Sequence, residues 1–107
     1  MDATTIHIAE VAWQELTGFP GKGEVKVLRD EGGSRARTMI IRMHPGSEIT
    51  PHAHQAPVQH YVLDGEYESE GSIYAAGTYR RLPGHANVAP ISTQTGATIL
   101  FIYDPVG

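Results

Sequence analysis

The sequence contains no cysteine, which excludes a disulfide framework, a thiolate nucleophile, thiolate-bound zinc and a cysteine-ligated iron–sulfur cluster. Any metal must be held by nitrogen and oxygen donors. Basic residues are scarce: 8 Lys and Arg stand against 12 Asp and Glu, giving a formal net charge of -4 with histidine neutral. A phosphate-tracking surface needs Lys and Arg gathered on one face, so nucleic acid is not expected as a partner. Long apolar runs are also missing. A bilayer span takes about 20 consecutive apolar residues, and no segment approaches that, so no membrane partner is expected. Residues 1–13 (MDATTIHIAEVAW) lack the basic run and apolar stretch of a secretory signal, which predicts a cytoplasmic protein. Sustained helical periodicity is absent too, and only residues 7–16 have a pattern that would wind a helical turn.

Glycine (12), proline (7) and histidine (6) are abundant for a chain of 107 residues. Gly and Pro together exceed their usual share of about 12%, so turns must be frequent, and the length suits one compact domain over 1–107. Apolar residues come in short bursts between turns: EVKVL at 24–28, TMIIRM at 38–43, VQHYVLDGEYES at 58–69 with a corner at Leu63-Asp64-Gly65, SIYAAGTYRRL at 72–82 and ATILFIY at 97–103. Strands at roughly 10-residue spacing, rich in β-branched and aromatic residues, predict an all-β sandwich or barrel with its core over about 24–104. The final strand, residues 98–103, is apolar on both faces. One face fills the barrel; the other needs the N-terminal segment or a second subunit to cover it, and a homodimer is expected.

The histidines concentrate the chemistry. His52 and His54 are one residue apart, so an extended backbone projects both imidazoles to one face, where they can chelate a single cation. Pro51 favours an extended backbone at Thr50 and removes an amide donor, as suits a barrel rim. On spacing alone a solvated polar face explains the pair equally well.

The flanking residues resemble the first motif of the cupin superfamily, in which Gly, His, His and a later Gly recur at spacings matched here by Gly46, His52, His54 and Gly65, with Tyr61-Val62-Leu63-Asp64 leading into the last of them. Gly77 and Pro83 match part of the second motif. The likeness covers residues 38–103 and is greatest to small cupins similar to the C-terminal domain of ChrR anti-sigma factors. It implies a double-stranded β-helix, the jelly-roll cupin barrel, with a divalent transition metal (Fe, Mn, Ni, Cu or Zn) near the barrel mouth. Two departures stand out: Val58 occupies the position of the family's Glu ligand and Val88 that of its last His.

Three residues are available as substitutes in a metal site with His52 and His54. Gln59 offers an amide oxygen, at the longer motif spacing from His54. His60 shares the parity of Val58, so the two face the same way. Gln59 and His60 point to opposite faces of a regular strand and exclude one another unless a bulge intervenes. His85 lies three positions before Val88. His44 reads as a turn residue and His7 as part of a short N-terminal segment. Glu48 is a loop carboxylate able to orient an imidazole; Arg42, Arg80 and Arg81 are candidates to bind an anion or to form surface pairs; Tyr67, Tyr74 and Tyr79 either line a pocket or pack.

A histidine-rich site with an open position suits activation of a chelating substrate toward O₂ if the ion is iron, or isomerase and lyase chemistry if it is zinc or nickel. The expected function is a small metal-binding cupin that acts, as a dioxygenase-like or isomerase- or lyase-like enzyme, on a small oxygen-rich organic molecule. The competing class is a non-catalytic barrel that binds or senses a small ligand. An anti-sigma role is not expected, because such regulators carry a helical region ahead of the barrel and this sequence starts almost directly with it.

Overall fold

A computed structural model describes residues 3–16, 22–32, 36–50, 57–83 and 89–104. Nine strands occur among them: β1 (Gln14–Glu15), β2 (Gly23–Asp30), β3 (Arg37–Met43), β4 (Glu48–Ile49), β5 (Val58–Ser69), β6 (Ser72–Ala75), β7 (Tyr79–Leu82), β8 (Ile91–Ser92) and β9 (Ala97–Tyr103). They form one antiparallel sheet in the order β1-β2-β3-β9-β5-β8-β4, with β6 and β7 also paired to β5. This is the expected all-β architecture. The only helical turn among the described residues is Ile8–Glu10, where the His7 side chain accepts from the Ala9 amide and caps the turn. No helix among the described residues is long and apolar enough to cross a membrane.

Alternation explains which side chains are inside. Along β9 every second residue is buried (Ala97, Ile99, Phe101, Tyr103), and the partners of these residues on β3 and β5 face the same way. Cross-strand rows therefore run through the interior. Ile41, Ile99 and Val62 form one row; Met39, Phe101 and His60 form the next; Arg37, Tyr103, Val58 and Leu82 form the last, at the end where β5 begins and β7 finishes.

β5 is a single strand of 12 residues rather than two strands meeting at a corner. Its register against β9 shifts between Val62 and Asp64, and Gly65 adopts φ 70° there. A Cβ at Gly65 would collide with the Gly96 carbonyl oxygen, so both the close approach and the left-handed backbone require glycine. The shift changes the inward parity from even positions (Val58, His60, Val62) to odd ones (Tyr67, Ser69). The first half of β5 pairs with β9 and β7, the second with β6 and β8, so this one strand carries the sheet around the core.

The outer face of the sheet is partly covered by the N-terminal segment. Lys26 on β2 is only 7% exposed, because its Nζ donates to the Ile8 carbonyl at 2.9 Å and lies 4.7 Å from the centre of the Trp13 ring. Arg42, at 4.1 Å from the same ring, is also bonded to Glu24. Beyond this clamp Tyr61, Leu63 and Tyr79 remain 42%, 43% and 54% exposed. The Lys26 clamp makes Trp13, the only tryptophan, a reporter of arm docking. Lys26→Met keeps the apolar stem but loses the charge-assisted hydrogen bond and cation–π contact, and should cost about 1–2 kcal/mol of stability. Trp13 emission should shift to the red in this variant; an unchanged spectrum would contradict the clamp.

Candidate functional site

Around His60 several polar side chains meet on the inner face. His60 is 1% exposed, and its ring lies 4.2 Å from that of Phe101, centre to centre. Its Nδ1 is hydrogen-bonded to the Tyr67 hydroxyl at 3.0 Å, in a direction set by the ring's tautomer. Arg80 is the cross-strand partner of His60 on β7, so it faces inward with it, and its Nη1 donates to the same hydroxyl at 3.1 Å. The Arg80 guanidinium also lies 4.0 Å from the centre of the Tyr74 ring. Burial raises the Tyr67 pKa above its usual value of about 10, against the opposing pull of Arg80, so the phenol stays protonated through neutral pH.

Magnitudes argue that this row is not there for stability. An aliphatic side chain buried at such a position is worth about 1.5–3 kcal/mol, whereas a buried polar group contributes little net once its desolvation is offset by hydrogen bonds. The hydrophobic cluster beside it, which includes Met39, Ile41, Val62, Ile99 and Phe101, follows the apolar rule.

The row beside it forms the open end. Tyr103 is 6% exposed, with Arg37 5.5 Å from its ring centre. The Arg37 Nε is buried without a hydrogen-bond partner among the described residues, and its nearest carboxylate oxygen, on Asp30, is 3.8 Å away. Burial pushes the Tyr103 hydroxyl up to about 12, against the opposing effect of Arg37. Arg37 and Tyr103 were not among the sequence candidates; alternation counted from Met39 and Phe101 would have found them.

The sequence candidates divide as follows. Gln59 does not face the interior: its Oε1 accepts from the Tyr79 hydroxyl at 2.7 Å and its Nε2 donates to Asp104 at 3.3 Å, on the opposite side of β5 from His60. His60 and Val58 share the inner face, with no bulge between them. His52, His54 and His85, with Val88, lie outside the described residues. The segments that carry these histidines lead into β5 at Val58 and away from β7 at Leu82, and Val58 and Leu82 are direct partners in the open-end row. No cluster of three His, Asp or Glu side chains able to hold a metal occurs among the described residues alone.

Arg42 is paired to Glu24, whose carboxyl the Arg42 hydrogen bond and then His44 hold below the usual range, so Arg42 belongs to the outer surface. Arg81 is exposed, Tyr79 faces outward and Tyr67 inward. Glu48 is exposed on β4, on one row with Ser92 and Glu68.

The raised Tyr103 pKa sets an alkaline limit on stability. Between pH 10 and 12 the unfolded chain loses this proton and the folded chain keeps it, so a contribution fully present below pH 10 disappears as pH rises through that window. A difference from about 10 to about 12 corresponds to roughly 2–3 kcal/mol. Tyr103→Phe should flatten the loss of stability between pH 10 and 12 in denaturant titrations; a variant that loses as much as the native chain would contradict the assignment.

The fold has many solved counterparts. An acetylacetone dioxygenase from Acinetobacter johnsonii aligns over 96% of this chain and 74% of its own, with a TM-score of 0.83 and 15% identity. The polyketide cyclase RemF from Streptomyces resistomycificus aligns over 95% and 79%, with a TM-score of 0.80 and 17% identity. The structure of Rhodobacter sphaeroides SigE in complex with the anti-sigma ChrR aligns over 92% of this chain and 52% of the other, with a TM-score of 0.72 and 19% identity. At these identities the likeness establishes the cupin fold alone. No curated protein matches the sequence. The profile of the ChrR cupin-like domain matches residues 1–106, and on that near-complete match the chain belongs to the ChrR cupin-like family.

Proposed function

We propose that this cupin is a metal-dependent enzyme that acts on a small oxygen-rich organic molecule held inside the barrel. The observation that carries the reading is the inward polar row of His60, Tyr67 and Arg80, set one residue pair below the end of the sheet from which the His52, His54 and His85 segments extend. Among its structural counterparts, the acetylacetone dioxygenase and the polyketide cyclase are named for reactions on small oxygen-bearing carbon skeletons.

In this reading His52 and His54 hold a divalent transition metal, and His60 or His85 completes the set. The donors fit such an ion in kind: neutral imidazoles suit Fe, Mn, Ni, Cu and Zn, and there is no thiolate to compete. In a ligand role for His60 its Nδ1 would carry the proton and donate to the Tyr67 hydroxyl, which would fix the orientation of the ring. Gln59 is disfavoured because both ends of its amide are engaged on the outer face. When bound, the ion supplies Lewis-acid polarisation of a substrate oxygen or, if it is iron, access to O₂ chemistry.

The chain's own residues supply the rest. Tyr67, protonated at neutral pH and bonded to both His60 and Arg80, is a proton-holding group inside the barrel. It belongs to the same buried cluster as Phe101, Met39 and Val62, whose apolar side chains limit water. A second copy of the chain packing on the outer face of Tyr61, Leu63 and Tyr79 would complete the cover of that face.

Chelator-stripped protein reloaded with single metals should bind about one equivalent, and His52→Ala/His54→Ala little, since imidazole donors set the affinity. Equal loading of the two, or none in either, would turn the reading to a ligand-binding barrel without a metal. Sedimentation of the same samples should give the mass of a dimer; a monomer would remove the second copy.

A further inference from the structure

Arg80 is an inward-facing cation to which the described residues supply no carboxylate. Of the 12 acidic residues, only Asp2 lies outside the described residues. The described acids that meet a cation do so elsewhere: Glu31 with Arg29, Asp30 with Arg37, and Glu24 with Arg42 and His44. Among the described residues Arg80 instead makes one hydrogen bond, to the Tyr67 hydroxyl, and lies against the Tyr74 and Tyr67 rings at 4.0 and 5.9 Å. A guanidinium has five N–H donors in a rigid fork that matches a carboxylate. One donor is committed among the described residues. Aromatic faces hold a cation in place without neutralising it or consuming its remaining donors.

Arg80 is half-buried, and a charge partly withdrawn from water is usually paired. The outer face of the same sheet follows that habit, since Arg42 receives a two-donor bond to Glu24. Arg37, at the open end, has Asp30 within reach. The neighbour of Arg80 on its own strand, Arg81, is exposed and solvated. Arg80 faces inward beside a phenol and an imidazole, with no carboxylate against it among the described residues.

We infer that Arg80 receives an anionic oxygen group of the ligand, a carboxylate or an enolate, inside the barrel, with Tyr67 as the adjoining hydrogen-bond donor or acceptor. The inference rests on the reading of the barrel interior as the ligand chamber and narrows its ligand to small organic anions. The Tyr74 ring holds the guanidinium in place at 4.0 Å from its centre, and partial burial strengthens the ion pair.

The test uses the full chain, stripped of metal, at low ionic strength, titrated with two pairs of probes of matched shape: benzoate against benzamide, and malonate against malonamide. The acid of at least one pair should bind at least about tenfold more tightly than its amide, as charge-assisted bonds to a fork require. Arg80→Gln should reduce that acid to the level of the amide, and Arg81→Gln should leave it unchanged. Equal affinity of acid and amide in both pairs overturns the inference on the native chain alone, whether or not the variants fold. So does preferential binding that survives in folded Arg80→Gln. Repeating the titration with His52→Ala/His54→Ala separates the two readings. Acid binding retained there, with no metal uptake by the native chain, removes the metal and keeps the Arg80 site. Acid binding that needs added metal and the two histidines, but not Arg80, keeps the metal and removes the Arg80 site.

Discussion

The register of β5 against β9 is the constraint on which the interior depends. Val58, His60 and Val62 pair with Tyr103, Phe101 and Ile99, all buried, so β5 has one permitted alternation. A slip of one residue would bury Gln59 and Tyr61 and expel His60 to solvent. Because β7 pairs with the same stretch, the register that turns His60 inward also turns Arg80 inward. The Tyr67 hydroxyl then reaches both, since the shift beside Gly65 reverses the parity of the strand in its second half. One apolar pairing thus assembles three polar groups from separate positions in the sequence.

Electrostatics divide the two faces of the sheet. Outside, charges meet opposite charges in partial solvent, where each pair is worth little, on the order of 0–1 kcal/mol; Glu24, Arg42 and His44 are such a group. Inside, among the described residues, the Tyr67 phenol, the His60 imidazole and the Arg80 guanidinium meet with no carboxylate bonded to them. The Arg80 guanidinium thus meets phenols rather than acids on the inner face. This follows from where acids are placed in the chain more than from their number, because the net charge of the whole protein is -4.

Much of the fold was legible in the sequence, because alternating apolar residues bounded by glycine and proline carry their own signal. The stretches at 24–28, 38–43, 72–82 and 97–103 are strands or contain them, and Gly77 marks the turn between β6 and β7. The two-residue strands β1, β4 and β8 were not legible, since pairs such as Gln14–Glu15 owe their conformation to a partner strand rather than to a pattern. Parity correctly grouped His60 with Val58. It failed at Tyr67, because a bulge cannot be counted from alternation alone, and so the three tyrosines stayed unsorted until the register was known. The burial of Lys26 was equally hidden, because a lysine on an outer face reads as solvated unless the chain returns to cover it.

The chain's membership of the ChrR cupin-like family fixes its architecture and leaves its chemistry to the site. Valines stand at two positions where cupin motifs place ligands, so the account requires histidines to serve in an altered arrangement. X-ray absorption by protein loaded with zinc tests this most directly. The account predicts nitrogen neighbours at about 2.0–2.1 Å with the multiple scattering of at least two imidazoles, weakened when His52 and His54 are replaced by alanine. A shell made only of oxygen, or the same imidazole signal from that variant, would contradict it.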